Sequence, residues 1–258
     1  MRRCFLAALF LTGTAVGLLA ANPAPWPEWR TPMLAKFEEE LKELEVALVA
    51  APDTVALLSQ RGDRHLFLGR FAEAIADFEK MIALDPAQDA PHWRLGIAYF
   101  FAGHFGKSAT QFEKYHRYDA RDRENGIWKF LAQVESEGIE KARAGMLSYT
   151  RFDREPFPSL YEMFAGKRTP DEVLVEITHK GLEGNPQVVF FGNYYAGLGE
   201  AVLGRRDRAV VLLEKAVGLP ESRPPRGPGY MWQVARLHWE RSRGEAALGP
   251  GAGEPVSR

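Results

Sequence analysis

Laid against itself, the chain repeats. Gly62 and Gly96 stand 34 residues apart, as do Gly69 and Gly103, Phe71 and Phe105, Ala74 and Ser108, and Phe78 and Phe112. A fixed period of this length constrains the fold more than any single motif, because each copy is one supersecondary unit that cannot bury its apolar face alone. Ile139, Ala142, Met146 and Tyr149 lie a further 34 residues beyond Phe105, Ser108, Phe112 and Tyr115, a weaker third copy of the second-helix half. Gly197, Gly204, Ala209, Leu213 and Ala216 fall 101 residues after Gly96, Gly103, Ser108, Phe112 and Tyr115, which is three periods less one, so 157–189 is one slightly short unit. The spacing predicts helix-turn-helix units at about 55–88, 89–122, 123–156, 157–189 and 190–222. In the fourth, Leu160, Tyr161 and Phe164 mark the first helix, and Thr169-Pro170-Asp171-Glu172 opens the second with the residues of a capping box.

Glycine inside a helix costs about 1 kcal/mol relative to alanine, so its recurrence in successive first helices requires compensation. A small residue there, facing Ala74, Ser108 or Ala209 on the second helix, lets the two helices approach. Phe78, Phe112 and Leu213 are then expected to fill the space between neighbouring pairs. The same register explains GHFGKS at 103–108, which imitates the end of a phosphate-binding loop. Gly103 is the turn glycine, Phe105 begins the apolar face of the next helix and Ser108 is its small packing residue. A phosphate loop needs glycine where Phe101 stands and a preceding strand that a helical array does not offer. Arg61-Gly62-Asp63, an imitation of an adhesion tripeptide, falls within a predicted helix.

Copies of this kind resemble tetratricopeptide (TPR) repeats, whose 34-residue pattern places Leu-Gly, Tyr, Ala, Phe and Pro at set positions. Leu95-Gly96, Tyr99, Ser108 and Phe112 fit it in the second unit, and Gly62, Ala74, Phe78 and Pro86 in the first. The resemblance implies an all-α fold: a right-handed solenoid of antiparallel helix pairs, closed by a C-terminal capping helix at 227–245. It also implies that ligands lie in the concave groove lined by first helices. Aligned to that surface are Phe67, Trp93, Ile97, Phe100, Phe101, Leu131, Tyr194 and Leu198, an apolar and aromatic set suited to an amphipathic partner helix. It lacks the Lys and Asn set with which chaperone-type TPR domains clamp a terminal carboxylate. The N-terminal helix or a second copy of the chain could instead fill it.

Outside the repeats, Met1-Arg2-Arg3 followed by an uncharged stretch from Cys4 to Ala21 has signal-peptide anatomy, giving a signal at 1–21 and an exported remainder in the periplasm or cell envelope, with an uncleaved anchor as the alternative. Removing it also removes the one cysteine, so the mature chain is expected to have no disulfide and no thiol site. Residues 22–31 read as a proline-rich linker; Trp26 and Trp29 either face a membrane surface or fold back on the first helix. Thr31-Pro32 signals the start of an amphipathic helix at 32–50, and 246–258 reads as a disordered tail.

Chemistry is not signalled. The six histidines are scattered without an i,i+4 pair, no nucleophile elbow or Gly-rich cradle appears, and a net charge of −1 gives no whole-chain attraction to nucleic acid. No enzyme, metal or cofactor is expected. A narrower resemblance spans about 89–220, where WRLGIAYFFAGHFGKSATQFEKY, IWKFLAQ and GNYYAGLGEAVLGRRDRAVVLLEKAV are similar in order and spacing to the NlpI family of bacterial envelope TPR lipoproteins. That resemblance implies a homodimeric, non-catalytic adaptor for a protease or peptidoglycan hydrolases. The lipid-modified cysteine of that family is missing, since Cys4 stands at the start of the apolar segment. The function expected is protein-binding adaptor or scaffold; the alternatives are a structural subunit self-associating through the groove and, third, an enzyme of unrecognised type.

Overall fold

Helix ends organise this chain. The computed structural model describes residues 26–218 and 229–243; the expected signal peptide, the linker residues before Trp26 and the tail at 246–258 lie outside the described residues. Within them the fold is all-α: α1 (Arg30–Ala50), α2 (Val55–Phe67), α3 (Phe71–Leu84), α4 (Trp93–Phe101), α5 (Phe105–Tyr118), α6 (Arg123–Glu137), α7 (Ile139–Ala144), α8 (Phe157–Phe164), α9 (Pro170–His179), α10 (Pro186–Val202), α11 (Arg206–Gly218) and α12 (Tyr230–Ser242), with a 3-10 turn at Pro86–Gln88. Among the described residues there is no strand, and no helix is long and apolar enough to cross a membrane.

Gly69, Gly103, Gly166, Gly181 and Gly204 all adopt φ between +65° and +79°. In each case the next residue's N–H reaches back five positions: Arg70 to the His65 carbonyl, His104 to Tyr99, Lys167 to Glu162, Leu182 to Ile177 and Arg205 to Glu200, at 2.8–2.9 Å. This is the Schellman closure, which satisfies orphan carbonyls at a helix end and uses the left-handed region open to glycine. The next helix therefore turns back within a few residues, and most helices pack chiefly on their chain neighbours.

Close approach inside the pairs follows the periodic glycines, with a different opposing residue from the one the spacing suggests. A Cβ built on Gly62 would lie 2.5 Å from the Phe78 ring, on Gly96 2.8 Å from Phe112 and on Gly197 3.0 Å from Leu213. The large residue of the second helix thus lies on the bare glycine of its own pair. The same rings also meet the following element, Phe78 against His92 and Phe112 stacked on Trp128. Ser108 plays a different part, its buried hydroxyl donating to the Gly96 carbonyl at 2.8 Å. Three glycines of α10 meet three neighbours, Gly192 facing Ile177 of α9, Gly197 facing Leu213 of α11 and Gly199 facing Met163 of α8.

Several boundaries differ from the sequence expectation. Helix α1 begins at Arg30 with Trp29 in the capping position, so Arg30 and Thr31 are helical and not linker. In the third unit α7 stops at Ala144; Met146 and Tyr149 lie beyond it, and the Tyr149 ring instead packs against Gly126 and Tyr161. Helix α10 begins at Pro186, ahead of the expected 190 boundary, because Asn185 caps it by accepting from the N–H groups of Gln187 and Val188. The Thr169–Glu172 capping box is formed in full.

Candidate protein-binding groove

All eight residues expected to line a groove belong to, or pack on, one continuous apolar cluster. Phe67 ends α2; Trp93, Ile97, Phe100 and Phe101 lie on α4; Leu131 is on α6; Tyr194 and Leu198 are on α10. Seven are buried and Trp93 is half-buried. The open surface that a binding groove requires is therefore absent; over Phe67, Trp93, Phe100, Phe101 and Tyr194 the cover is α12.

Helix α12 lies along these first helices. Tyr230 packs edge-on against Phe67 and Trp93, both with centroids 4.8 Å away. His238 sits over Phe101 at 4.7 Å, against Phe100 and stacked on Trp128, both at 5.6 Å, while its Nδ1 is hydrogen-bonded to the Tyr194 hydroxyl at 2.8 Å. Trp232 donates from Nε1 to the Val217 carbonyl of α11 at 3.3 Å. Every residue from Met231 to Glu240 is buried, so the expected terminal cap, 227–245, is in fact an interior helix over Tyr230–Ser242. A helix buried on all sides has no solvated face to show, which is the character of a core element.

Three of its polar side chains are keyed to distant parts of the chain. Arg236, with no exposed surface, donates to Gln233 Oε1 at 2.9 Å, to Glu240 Oε2 at 2.8 Å and to the carbonyl oxygen of Phe67. Glu240 Oε1 in turn accepts from Arg30 at 2.8 Å. Burial pushes the Arg236 guanidinium's pKa down and Glu240 pulls it back up. His238 is held neutral, its pKa lowered to about 3 by burial and secondarily by Arg241. At the far end Arg206 of α11 donates to the Ser242 carbonyl at 3.0 Å.

The outer side of α12 is covered by the first described residues. Trp26 packs on Trp239 at 5.5 Å and Trp29 on Trp232 at 5.0 Å, with Arg30 and Arg243 over the Trp26 ring. These tryptophans thus fold onto the last described helix, and not back on the first. Of the groove's possible fillers, α1 contributes at one edge, through Phe37 against Phe67, Met33 against Gln233 and Arg30 against Glu240.

Beneath the floor runs a second buried polar chain. Trp128 donates to the Tyr195 hydroxyl at 3.1 Å, Tyr195 donates to Glu124 Oε1 at 2.6 Å and Arg154 donates to Glu124 Oε2. Burial raises the Glu124 pKa to about 7, with Arg154 opposing and Asp122 and Asp153 reinforcing the shift.

Sequence reasoning missed Arg30, Tyr230, Arg236, His238 and Glu240. Their signal was present only as aromatic residues on several faces of YMWQVARLHWERS; the partners are scattered along the chain. Among the described residues, no group of three or more histidine, cysteine or acidic side chains is placed to hold a metal. No family model matches the chain, and no curated protein matches its sequence. Fold and site together define, among the described residues, an all-helical array with α12 packed within it.

Proposed function

We propose that this chain is a non-enzymatic TPR-type adaptor of the bacterial envelope, whose first-helix groove recognises an α-helix of a partner protein. One observation carries the reading: the groove surface made by α2, α4, α6 and α10 already holds a helix, α12, with aromatic contacts along its length and polar contacts at named points. A surface shaped to a helix in cis has the shape and chemistry to take one in trans. The Schellman turns and the glycine-on-ring contacts support the repeat reading, and the resemblance over 89–220 supports the adaptor class, with a protease or peptidoglycan hydrolases as the partners it implies.

The test uses residues 22–258 as bait in envelope extract of the source organism, followed by reconstitution with each purified candidate. A partner whose binding falls when a synthetic peptide of residues 229–243 is added supports the reading. Eluates holding only further copies of the chain would favour the self-associating structural subunit.

A further inference from the structure

We propose that the cleft between α3 and α5 is a second binding site, and that its ligand is a short zwitterionic peptide, about three residues long, with an apolar central side chain. The site is independent of the helix-binding reading above. At 3.6 residues per turn its floor residues Leu95 and Tyr99 face away from Trp93, Ile97 and Phe101, so cleft and groove surface lie on opposite sides of α4.

The cleft is a cavity of about 480 Å³ with one ammonium and one carboxylate at each end. At one end Lys107 Nζ stands 3.6 Å from Glu79 Oε1 and 5.0 Å from the Tyr99 ring centroid. At the other Lys114 donates to both carboxylate oxygens of Asp89, at 2.9 and 3.0 Å. Leu95, Ile82 and the Tyr99 ring supply the apolar surface between. A bare anion in this space would meet two carboxylates and a bare cation two ammoniums, whereas a molecule with one charge of each sign finds a partner at either end. The two lysines are seven positions apart on α5, about 10 Å along its axis, and an extended peptide of three residues spans about the same length.

The orientation follows from which groups are already engaged. Glu79 Oε1 takes the Tyr99 hydroxyl at 2.5 Å, and Lys107 is beyond hydrogen-bond length from it, so the Lys107 ammonium is the end that receives a ligand carboxylate. Asp89 accepts from Lys114 at two of the roughly four acceptor positions of a carboxylate, which leaves room for a ligand ammonium.

The last helix pair provides an internal comparison. Tyr99, Lys107, Thr110 and Gln111 correspond, 101 residues on, to Glu200, Arg208, Val211 and Leu212. There Arg208 hydrogen-bonds Asp171 of the preceding second helix and lies 3.3 Å from Glu200, so the same position is tied across by a guanidinium and flanked by apolar residues. In the second pair a shorter-reaching ammonium and two polar side chains stand in those places, and the space is open.

The test is an NMR titration of the isotope-labelled full chain with the tripeptide Gly-Leu-Gly. Saturable shifts are expected at Lys107 and Thr110, with acetylation of the amino terminus or amidation of the carboxyl terminus each weakening binding about tenfold or more. Lys107→Gln should weaken the free peptide to the same degree and leave the amidated one unchanged; Asp89→Asn should do the same for the free and acetylated peptides. Thr110→Phe fills the cleft without altering its charge, and should abolish binding at an unchanged melting temperature. Absence of saturable shifts, equal binding of capped and free peptides, indifference to Lys107→Gln, or binding that survives Thr110→Phe would each overturn the proposal.

Discussion

Arg236 on α12 donates to the carbonyl oxygen of Phe67, the last residue of α2, across 169 positions of sequence. The guanidinium has no exposed surface and also holds Glu240 and Gln233. Arg236→Ala leaves the carboxylate and the helix-end carbonyl short of a partner. The expected cost is about 3–5 kcal/mol, read as a lower urea midpoint. Replacing Arg236 and Glu240 together by Met and Leu should not recover it, because the buried Arg30 guanidinium then loses its carboxylate and the Phe67 carbonyl its donor.

Two glycines three residues apart should respond in opposite ways. Gly103 sits at φ +79° in a helix-closing turn, so Gly103→Ala is expected to destabilise by about 1–2 kcal/mol. Gly106 lies in the first turn of α5 with open space where a Cβ would stand, so Gly106→Ala is expected to stabilise by about 0.5–1 kcal/mol. Thermal unfolding of the two variants checks both signs. If GHFGKS cradled a phosphate, Gly106→Ala would change nucleotide binding; no such change is expected.

Gly96→Ala tests the glycine-on-ring packing. Helix propensity favours the change by about 1 kcal/mol, but the new methyl meets the Phe112 ring at 2.8 Å. Overpacking of this kind costs about 1–3 kcal/mol, so a net loss is expected. Gly96→Ala/Phe112→Leu should be less destabilised than the sum of the two single changes.

Buried groups of two kinds make stability depend on pH with opposite signs. The folded pKa of His238 is lowered to about 3, so its contribution is fully present above the unfolded value of 6.5 and is lost as pH falls toward 3. His92, lowered to about 4 mainly by burial, adds to the same slope. Glu124 is raised from 4.5 to about 7, so its contribution is present below 4.5 and lost as pH rises to about 7, worth about 3 kcal/mol across that window. Between pH 4.5 and 6.5 the two kinds of group oppose each other. In His238→Asn the acid-side loss should shrink by roughly 2 kcal/mol, and in Glu124→Gln it should steepen. Urea midpoints at pH 4.5, 5.5, 6.5 and 7.5 separate them.

What can be read in the sequence is local or periodic. The 34-residue spacing of glycine and phenylalanine marks real helix pairs because turn closure and glycine-ring contact act within about twenty residues of chain. The eight residues aligned in one register do share one apolar cluster, but seven of them are buried and form no open groove. The occupant is not legible, because Arg236, His238 and Glu240 look like a solvated face until Phe67, Tyr194 and Arg30 are brought beside them. Likewise Trp93 and Phe101 read in sequence as contacts for a partner, and their place against Tyr230 and His238 makes them interior. The Trp93→Ala/Phe101→Ala double variant should accordingly lose several kcal/mol of stability, and cannot serve as a clean test of binding.

The pairing of Arg30 with Glu240 spans 210 positions, nearly the whole described chain. A stack of helix pairs alone could form progressively as each pair leaves the ribosome. This one cannot finish until α12 arrives, so Phe67, Trp93, Phe100 and Tyr194 stay without their final cover until then. The N-terminal tryptophans and the groove are then completed in one late step, which gives a chain otherwise built of local contacts a single point at which it becomes mature.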